Sequence, residues 1–388
     1  MKGIAKDQLI LTHIEFIEHL NDKLIWQIRK SPLDSFNLIL GDNAQGKTRL
    51  FNLLRFLSAE HIGLSTVITP NLSTQVELTF SLGKEIIIYK FSRTIRVDGV
   101  IPMYSEEISR SGKLIFSRAL KLLVEESTGR QIEKFFMPPN VPALLSIAGK
   151  EFPTIELLKS FFERMMFLEA NRFTGSNIDA SKGAIVLNSL GSNVGAVLDT
   201  WRQRMPSAYN EVVKEFIEGF SFVDSVTTKD DLLTEQRILF PFMFYTDKES
   251  KDEIRQNLWS DGMLRAIALF VLAASRFQKD NHSFLRPSLI CIDEIDNGLD
   301  FSTLRKVISF YEKYSHLMQV VMTSHSPIAC NLVEPKYWHI AKRKGVVCEF
   351  FSLKEKTLDL DEQRRKLLND NWEFYKNHIA KSKLYVVK

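Results

Sequence analysis

Phe36-Asn37-Leu38-Ile39-Leu40-Gly41-Asp42-Asn43-Ala44-Gln45-Gly46-Lys47-Thr48 is the stretch on which the fold of this 388-residue chain turns. Phe36 to Leu40 reads as a strand that runs straight into a glycine loop. Leu50, Leu53, Leu54 and Leu57 then recur at helical spacing, so an amphipathic helix is expected from Lys47 to about Ser58. Strand, loop and helix in that order are the context a phosphate-binding loop requires. Glycines let backbone N–H groups converge on phosphate oxygens, and the helix N-terminus adds a favourable dipole. Lys47 would reach the β- and γ-phosphates of a nucleotide, and the Thr48 hydroxyl would ligate Mg²⁺.

Three further motifs follow in the last third. Ser260-Asp261-Gly262 precedes a strongly apolar helix expected over Gly262 to Phe277. Taken alone it is a common turn or helix cap, although amides following Gly262 would suit a phosphate. Ser288 to Ile292 is a continuous apolar run that ends in Asp293-Glu294, which puts two carboxylates where a buried strand meets solvent. Asp293 is placed to hold Mg²⁺ and Glu294 to orient and deprotonate an attacking water. After a helix over Leu304 to Tyr314 comes a second buried strand, Gln319 to Met322, and then Thr323-Ser324-His325-Ser326-Pro327. The pattern is a β-α-β unit of a parallel sheet. His325 sits at the carboxyl end of its strand, where such sheets bind ligands, and a neutral imidazole there could sense a γ-phosphate.

Elsewhere Leu9 to Ile17 and Leu24 to Ile28 read as strands, and Val76 to Leu82 with Glu85 to Phe91 as a hairpin turning at Gly83-Lys84. From about residue 100 the pattern changes to helices broken by Pro, Gly and Asn. Helices are expected over Leu114 to Phe136, Thr154 to Phe173 and Val194 to Phe220, with a mobile Gly/Ser/Asn-rich loop from Gly175 to Asn193. Arg237 to Phe240 and Phe242 to Tyr245 are strand-like, and Asp359 to Lys383 reads as a charged helix. Four segments follow: a first lobe with the phosphate loop (1–99), a helical insertion (100–237), a second lobe with the other motifs (238–345) and a basic tail (346–388).

No apolar stretch approaches the roughly 20 residues of a membrane helix. Cys291, Cys330 and Cys348 lack C-x-x-C spacing, which argues for a reducing cytoplasm and against zinc or disulfides. The net charge of +4 is mild, but Ala341 to Lys388 carries twelve Lys/Arg against seven Asp/Glu. Such a tail is usually a solvated surface, and it is compatible with a weak DNA or RNA contact or an acidic protein partner.

The motif set resembles the nucleotide-binding head of the ABC superfamily, in the branch containing SMC, RecF and OLD proteins, over about residues 8–80 and 238–345. The resemblance implies an α/β fold: a β-rich lobe plus a parallel-sheet P-loop core, here with a helical insertion. It implies ATP and Mg²⁺ as cofactors, and a homodimer or higher homo-oligomer with ATP sandwiched between heads. Gly41, Asp42, Asn43, Ala44, Gln45, Gly46, Lys47 and Thr48 become the Walker A loop. Ser260 and Gly262 become the signature that meets a partner's γ-phosphate. Asp293 and Glu294 become Walker B, Asp300 the D-loop, and His325 the switch. Trp259, Asp261 and Met263 depart from the usual signature, and Gln75 is the one glutamine in a plausible region for the family's Q-loop.

The insertion lacks the sustained heptads of SMC arms and a zinc hook. The stretch after His325 is too short for the TOPRIM nuclease domain of full OLD proteins, so the chain is not expected to be a nuclease itself. The leading expectation is a stand-alone OLD-like ATPase of a prokaryotic antiviral defence system, working with a separate nuclease or toxin effector and with no membrane. The alternative is a RecF-like DNA repair ATPase, which steeply salt-dependent DNA binding would favour.

Overall fold

The computed structural model describes residues 8–63, 69, 71–95, 101–132, 135–170, 183–232, 239–275 and 286–353. The chain runs through β1 (Leu9–Leu20), β2 (Lys23–Pro32), β3 (Phe36–Leu40), α1 (Lys47–His61), β4 (Leu72–Leu82), β5 (Glu85–Ile95), β6 (Pro102–Arg110), β7 (Lys113–Ser117), β8 (Leu122–Leu123), α2 (Ala143–Ser146) and α3 (Pro153–Glu163). There follow β9 (Met165–Leu168), α4 (Val194–Arg204), α5 (Pro206–Gly219), β10 (Val223–Leu232), β11 (Leu239–Asp247), β12 (Glu253–Arg255) and α6 (Asp261–Ala274). The last elements are β13 (Leu289–Ile292), α7 (Phe301–Tyr314), β14 (Gln319–Ser324), α8 (Pro327–Leu332), β15 (Trp338–Lys344) and β16 (Val347–Ser352). They group into two units, one drawn from 1–165 with 334–388 and the other from 166–333.

In the first unit the strand order is β8-β7-β6-β5-β4-β1-β2-β16-β15-β3. The run from β8 to β2 is antiparallel throughout, built from hairpins and returns. Its tight turns use residues that tolerate positive φ: Asn21-Asp22 between β1 and β2, Gly83 between β4 and β5, and Ser111-Gly112 between β6 and β7. β15 then lies parallel to β3, and β16 parallel to β2. β3 is buried at all five positions. α1 buries Leu50, Phe51, Leu53, Leu54 and Leu57, and its Ser58 hydroxyl donates to the Phe162 carbonyl of α3 at 3.0 Å.

The carboxyl end of α1 is tied into the antiparallel sheet by buried polar groups. Glu60 pairs with Arg93 of β5 and accepts from the Tyr104 hydroxyl of β6. His61 is wholly buried among the rings of Tyr89, Phe91 and Phe162, and burial pushes its imidazole down to about 3. Two expectations fail in this unit. Leu114 to Phe136 carries β7 and β8 and no helix among its described residues. The Leu114-Ile115-Phe116 run is too short for its period to choose between helix and strand, and the Ser111-Gly112 turn decides it. Thr154 to Phe173 was likewise expected as one helix, but α3 ends at Glu163 and Met165 to Leu168 is a buried strand.

In the second unit β14, β13 and β9 are neighbours in that order, with β13 and β14 parallel as the β-α-β reading requires. A separate antiparallel sheet, β10-β11-β12, lies in the same unit. The expected helix over Val194 to Phe220 is two, α4 and α5, broken at Met205 ahead of Pro206. α6 is buried at every position from Met263 to Ala274, so it is a core helix without a solvent face. The strands and helices expected from Leu289 to Met322 stand where they were placed. Residues 171–173 at the end of the expected Thr154 to Phe173 helix, residues 175–182 of the Gly/Ser/Asn-rich stretch, the 237–238 start of a strand, and the Asp359 to Lys383 helix lie outside the described residues. Val347 to Ser352, expected as the start of the tail, is β16. No helix among the described residues is long and apolar enough to cross a membrane.

Candidate functional site

In the first unit the phosphate-loop motif forms a tight backbone turn at the N-terminus of the 15-residue α1. Gly41 is buried against β15: a Cβ there would meet Ala341 Cβ at 3.0 Å and the Ala341 carbonyl at 3.1 Å. Gly46 adopts φ +102, and a Cβ would meet Trp26 at 2.9 Å and Cys348 Sγ at 3.0 Å. Only glycine satisfies both demands. Ala44 also lies at positive φ, with its carbonyl taken by Arg343 Nη1 at 3.0 Å. The Cys348 thiol donates to the Gln45 carbonyl at 2.9 Å.

Loop carbonyls are thus held from behind by the β15–β16 hairpin. Gly46, the N-cap of α1, offers no side-chain cap to the helix N-terminus. Lys47 is buried and folds over the loop, donating to the carbonyls of Gly41 at 2.5 Å and Asp42 at 3.0 Å. Asp42, Asn43 and Thr48 are exposed. Close-packed glycines, a helix N-terminus and a lysine along the loop form a cradle suited to phosphate. Gln75 stands in mid-β4, paired with Ile17 and Ser92.

The second unit gathers the other motifs around the end of β13. Asp293 is 6% exposed; its amide donates to the Leu168 carbonyl at 2.9 Å and its Oδ1 accepts from Thr323 Oγ1 at 2.6 Å. Glu294 has a left-handed backbone, φ +48, uncommon outside glycine and found at functional sites. Its amide donates to Thr323 Oγ1 at 2.9 Å, and its Oε1 lies 3.8 Å from His325 Nδ1. Both side chains are partly exposed, within charge–charge range but beyond a hydrogen bond.

Gly262 stands against the loop that follows: a Cβ there would lie 2.4 Å from the Gly298 carbonyl. Ser260 is the N-cap of α6 and accepts from the Met263 amide at 3.2 Å. Asp300 caps α7 with four hydrogen bonds from the amides and hydroxyls of Ser302 and Thr303. Burial works to raise its carboxyl, but those bonds outweigh it and pull it down to about 2.

One residue that the motifs did not point to is Arg265, in the second turn of α6 and 2% exposed. Its guanidinium donates to the carbonyls of Glu169 at 2.6 Å, Asp293 at 2.8 Å and Glu294 at 3.1 Å. Burial pulls it down to about 10, with Tyr311 and the nearby carboxylates working the other way, so it stays charged at neutral pH. A lone arginine inside Gly262-Met-Leu-Arg-Ala-Ile-Ala-Leu-Phe was the available signal, since a buried charge in a core helix needs partners. Asn297 Nδ2 adds a bond to the Ala170 carbonyl at 2.8 Å, so the chain just after β9 is also woven into the site. Among the described residues no three His, Cys, Asp or Glu side chains converge on one metal position. The available donors, a hydroxyl and a carboxylate oxygen, are hard ligands of the kind Mg²⁺ takes together with substrate phosphates.

Residues 171–331 match the model of a family described as "AAA domain, putative AbiEii toxin, Type IV TA system". The fold is similar to an SMC head solved bound to the C-winged helix domain of ScpA, at 12% identity over 89% of this chain and 99% of that one, with a TM-score of 0.51. An SMC head domain with an extended coiled coil, bound to the C-terminal domain of ScpA derived from Pyrococcus furiosus, is matched at 12% identity over 92% of this chain and 100% of that one, TM-score 0.49. No curated protein matches in sequence. The fold is the expected α/β one, similar to that of an SMC head. Residues 171–331 are thus similar in sequence to an AAA domain.

Proposed function

We propose that this protein binds and hydrolyses ATP, dimerises when ATP is bound, and passes its nucleotide state to a separate effector as a stand-alone OLD-like ATPase of prokaryotic antiviral defence. The observation that carries the hydrolytic part is the pose of Glu294, held by Thr323 and Arg265 with His325 at 3.8 Å. Glu294 orients the attacking water and takes its proton, and His325 lies beside that carboxylate to register the γ-phosphate. Gly41 to Thr48 cradle the phosphates, with Lys47 leaving its loop carbonyls to meet them. Mg²⁺, taken by the Thr48 hydroxyl and the Asp293 carboxylate, would neutralise phosphate charge.

Ser260, Gly262 and Asp300 would meet the partner's nucleotide; for Ser260 that contact competes with capping α6. The helices α4 and α5 are where an effector or nucleic acid would be held. The toxin–antitoxin description of the matching family supports the defence setting. The test is Glu294→Gln. Turnover should fall by about 10²- to 10⁴-fold while ATP binding persists, and size-exclusion chromatography with ATP should show a stable dimer. A variant that stays monomeric and hydrolyses normally would sink the mechanism.

A further inference from the structure

The antiparallel sheet of the first unit has two unlike faces. One carries Tyr89, Phe91 and Tyr104 against α1 and α3, where they meet Phe162, His61 and Glu60. Side chains alternate along a strand, so the residues between these make the opposite face. There Glu15 of β1, Glu77 of β4, Lys90 of β5 and Glu107 of β6 stand in one cross-strand row. The next row sets Ser92 beside Ser105, and these short side chains floor a trough of ≈ 420 Å³ walled by the charged row. Glu77 is paired with Lys30 at 3.3 Å and with Lys90 at 3.7 Å. Glu15 and Glu107 are partly exposed and make no ion pair among the described residues. Two of the three carboxylates in the row are thus left without a cation. Apolar groups stand beside them: Met103, on the same face of β6, is 41% exposed, and Leu120, next to Ala119 of the trough wall, is 68% exposed.

An occupant for this face needs cations for two separated carboxylates and apolar groups beside them. A nucleic acid would set its phosphates against the carboxylates, and a wholly apolar partner would strand them. The required composition occurs outside the described residues, in the sequence from Phe374 to Lys388. It carries Lys376, Lys381, Lys383 and Lys388 and no acidic residue, with Ile379 and Leu384 among the lysines. We propose that this lysine-rich stretch docks on the outer face of its own copy's antiparallel sheet. Its ammonium groups pair with Glu15 and Glu107, and its apolar residues cover Met103 and Leu120. The reach is sufficient. Glu15 and Glu107 lie three strands apart, roughly 14 Å at the usual strand spacing, and the chain from Lys376 to Lys381 can span up to about 17 Å. The chain leaves the sheet at β16, two places from β1, with roughly 20 residues between Leu353 and Lys376 to make the crossing. The contact lies on the face away from α1 and does not depend on what the phosphate loop binds.

The test is zero-length carbodiimide coupling of the full chain, which joins a carboxylate to an amine only where the two touch, followed by peptide mapping. Coupling of Glu77 to Lys30 or Lys90 shows that the reagent reaches the trough. Links from Glu15 or Glu107 to the four lysines are expected, at a yield unchanged by dilution. In the double variant Glu15→Lys with Glu107→Lys, limited tryptic cleavage at Lys381 and Lys383 should quicken by roughly fivefold, the worth of two exposed ion pairs, with the melting temperature unchanged. Adding Lys381→Glu and Lys383→Glu to that variant should bring the links back with carboxylate and amine exchanged. Glu77 links without any from Glu15 or Glu107 to the stretch would overturn the docking, as would unaltered cleavage in the double variant or a charge exchange that restores nothing. A yield that falls on dilution would assign the stretch to a second copy and overturn docking within one chain.

Discussion

The phosphate loop and the carboxylate end of β13 are held in place by different means. The loop is fixed mainly through its backbone: two glycines sit where a Cβ would collide, and its carbonyls are taken by Arg343, Cys348 and Lys47. The carboxylate end is fixed by side chains from distant points of the chain, Arg265 and Thr323 above all. A site set by backbone shape tolerates almost no added atom. A site set by side-chain bonds tolerates shape changes but loses its pose when one donor goes. That contrast orders the expected effects of substitution.

Gly46→Ala should do the greatest damage. The new Cβ would sit at φ +102 and within 3.0 Å of both Trp26 and Cys348. Left-handed strain of roughly 1–2 kcal/mol adds to overpacking of about 1–3 kcal/mol. Chemical denaturation should show a loss of several kcal/mol, and ATP binding should vanish with it. Gly112→Ala is the control, because φ is +79 there but nothing lies within 4 Å of the added Cβ. Equal losses in the two variants would mean that strain alone matters and that the loop is not held by packing.

Arg265→Met tests the other region. Removing the guanidinium withdraws a charge-assisted donor from three carbonyls; Glu294 keeps a second partner in the Asn297 amide. Each such bond is worth about 1.5–3 kcal/mol, and the removed desolvation cost of the buried charge offsets part of the loss. A net destabilisation of about 2–3 kcal/mol is expected. ATP affinity should change little while kcat falls at least tenfold, because Arg265 positions Glu294 and does not touch the phosphate loop. Arg265→Lys should recover only part of kcat, since one ammonium cannot reproduce the planar fork. Equal losses in affinity and kcat would make Arg265 a structural residue only.

The same difference explains what could be read without a structure. The phosphate loop was legible because its strand, glycines and helix are contiguous from Phe36 to Leu57. The β13–α7–β14 unit was legible for the same reason, its two apolar runs flanking one periodic helix. The ties that pose Asp293 and Glu294 were not, because Arg265, Thr323 and the chain after β9 meet only once the second unit folds. Misreadings fall where apolar runs are short: Leu114 to Phe116 and Met165 to Leu168 are four residues or fewer of usable pattern, and a strand and a buried helix turn look alike at that length. Trp26 carried no signal at all. Its place against Gly46 depends on β2 pairing with β16 from the far end of the chain.

Asp300 gives the smallest effect and separates capping from catalysis. As the N-cap of α7 it should contribute about 1 kcal/mol, the usual cost of replacing such a residue by alanine. Its carboxyl is held down at about 2, below the ordinary aspartate value of 3.8, so the unfolded chain takes up the proton first as pH falls. The contribution is therefore full above roughly pH 4 and disappears between there and about pH 2. Asp300→Asn keeps most of the capping bonds and removes the titration. In acid denaturation followed by circular dichroism, wild type should lose its advantage over Asp300→Asn across that window and nowhere else. At neutral pH wild type should be the more stable monomer, by no more than about 1 kcal/mol. If Asp300→Asn nonetheless loses ATP-dependent dimerisation, the carboxylate acts across the dimer as well as on its own helix; if dimerisation is untouched, capping is its whole role.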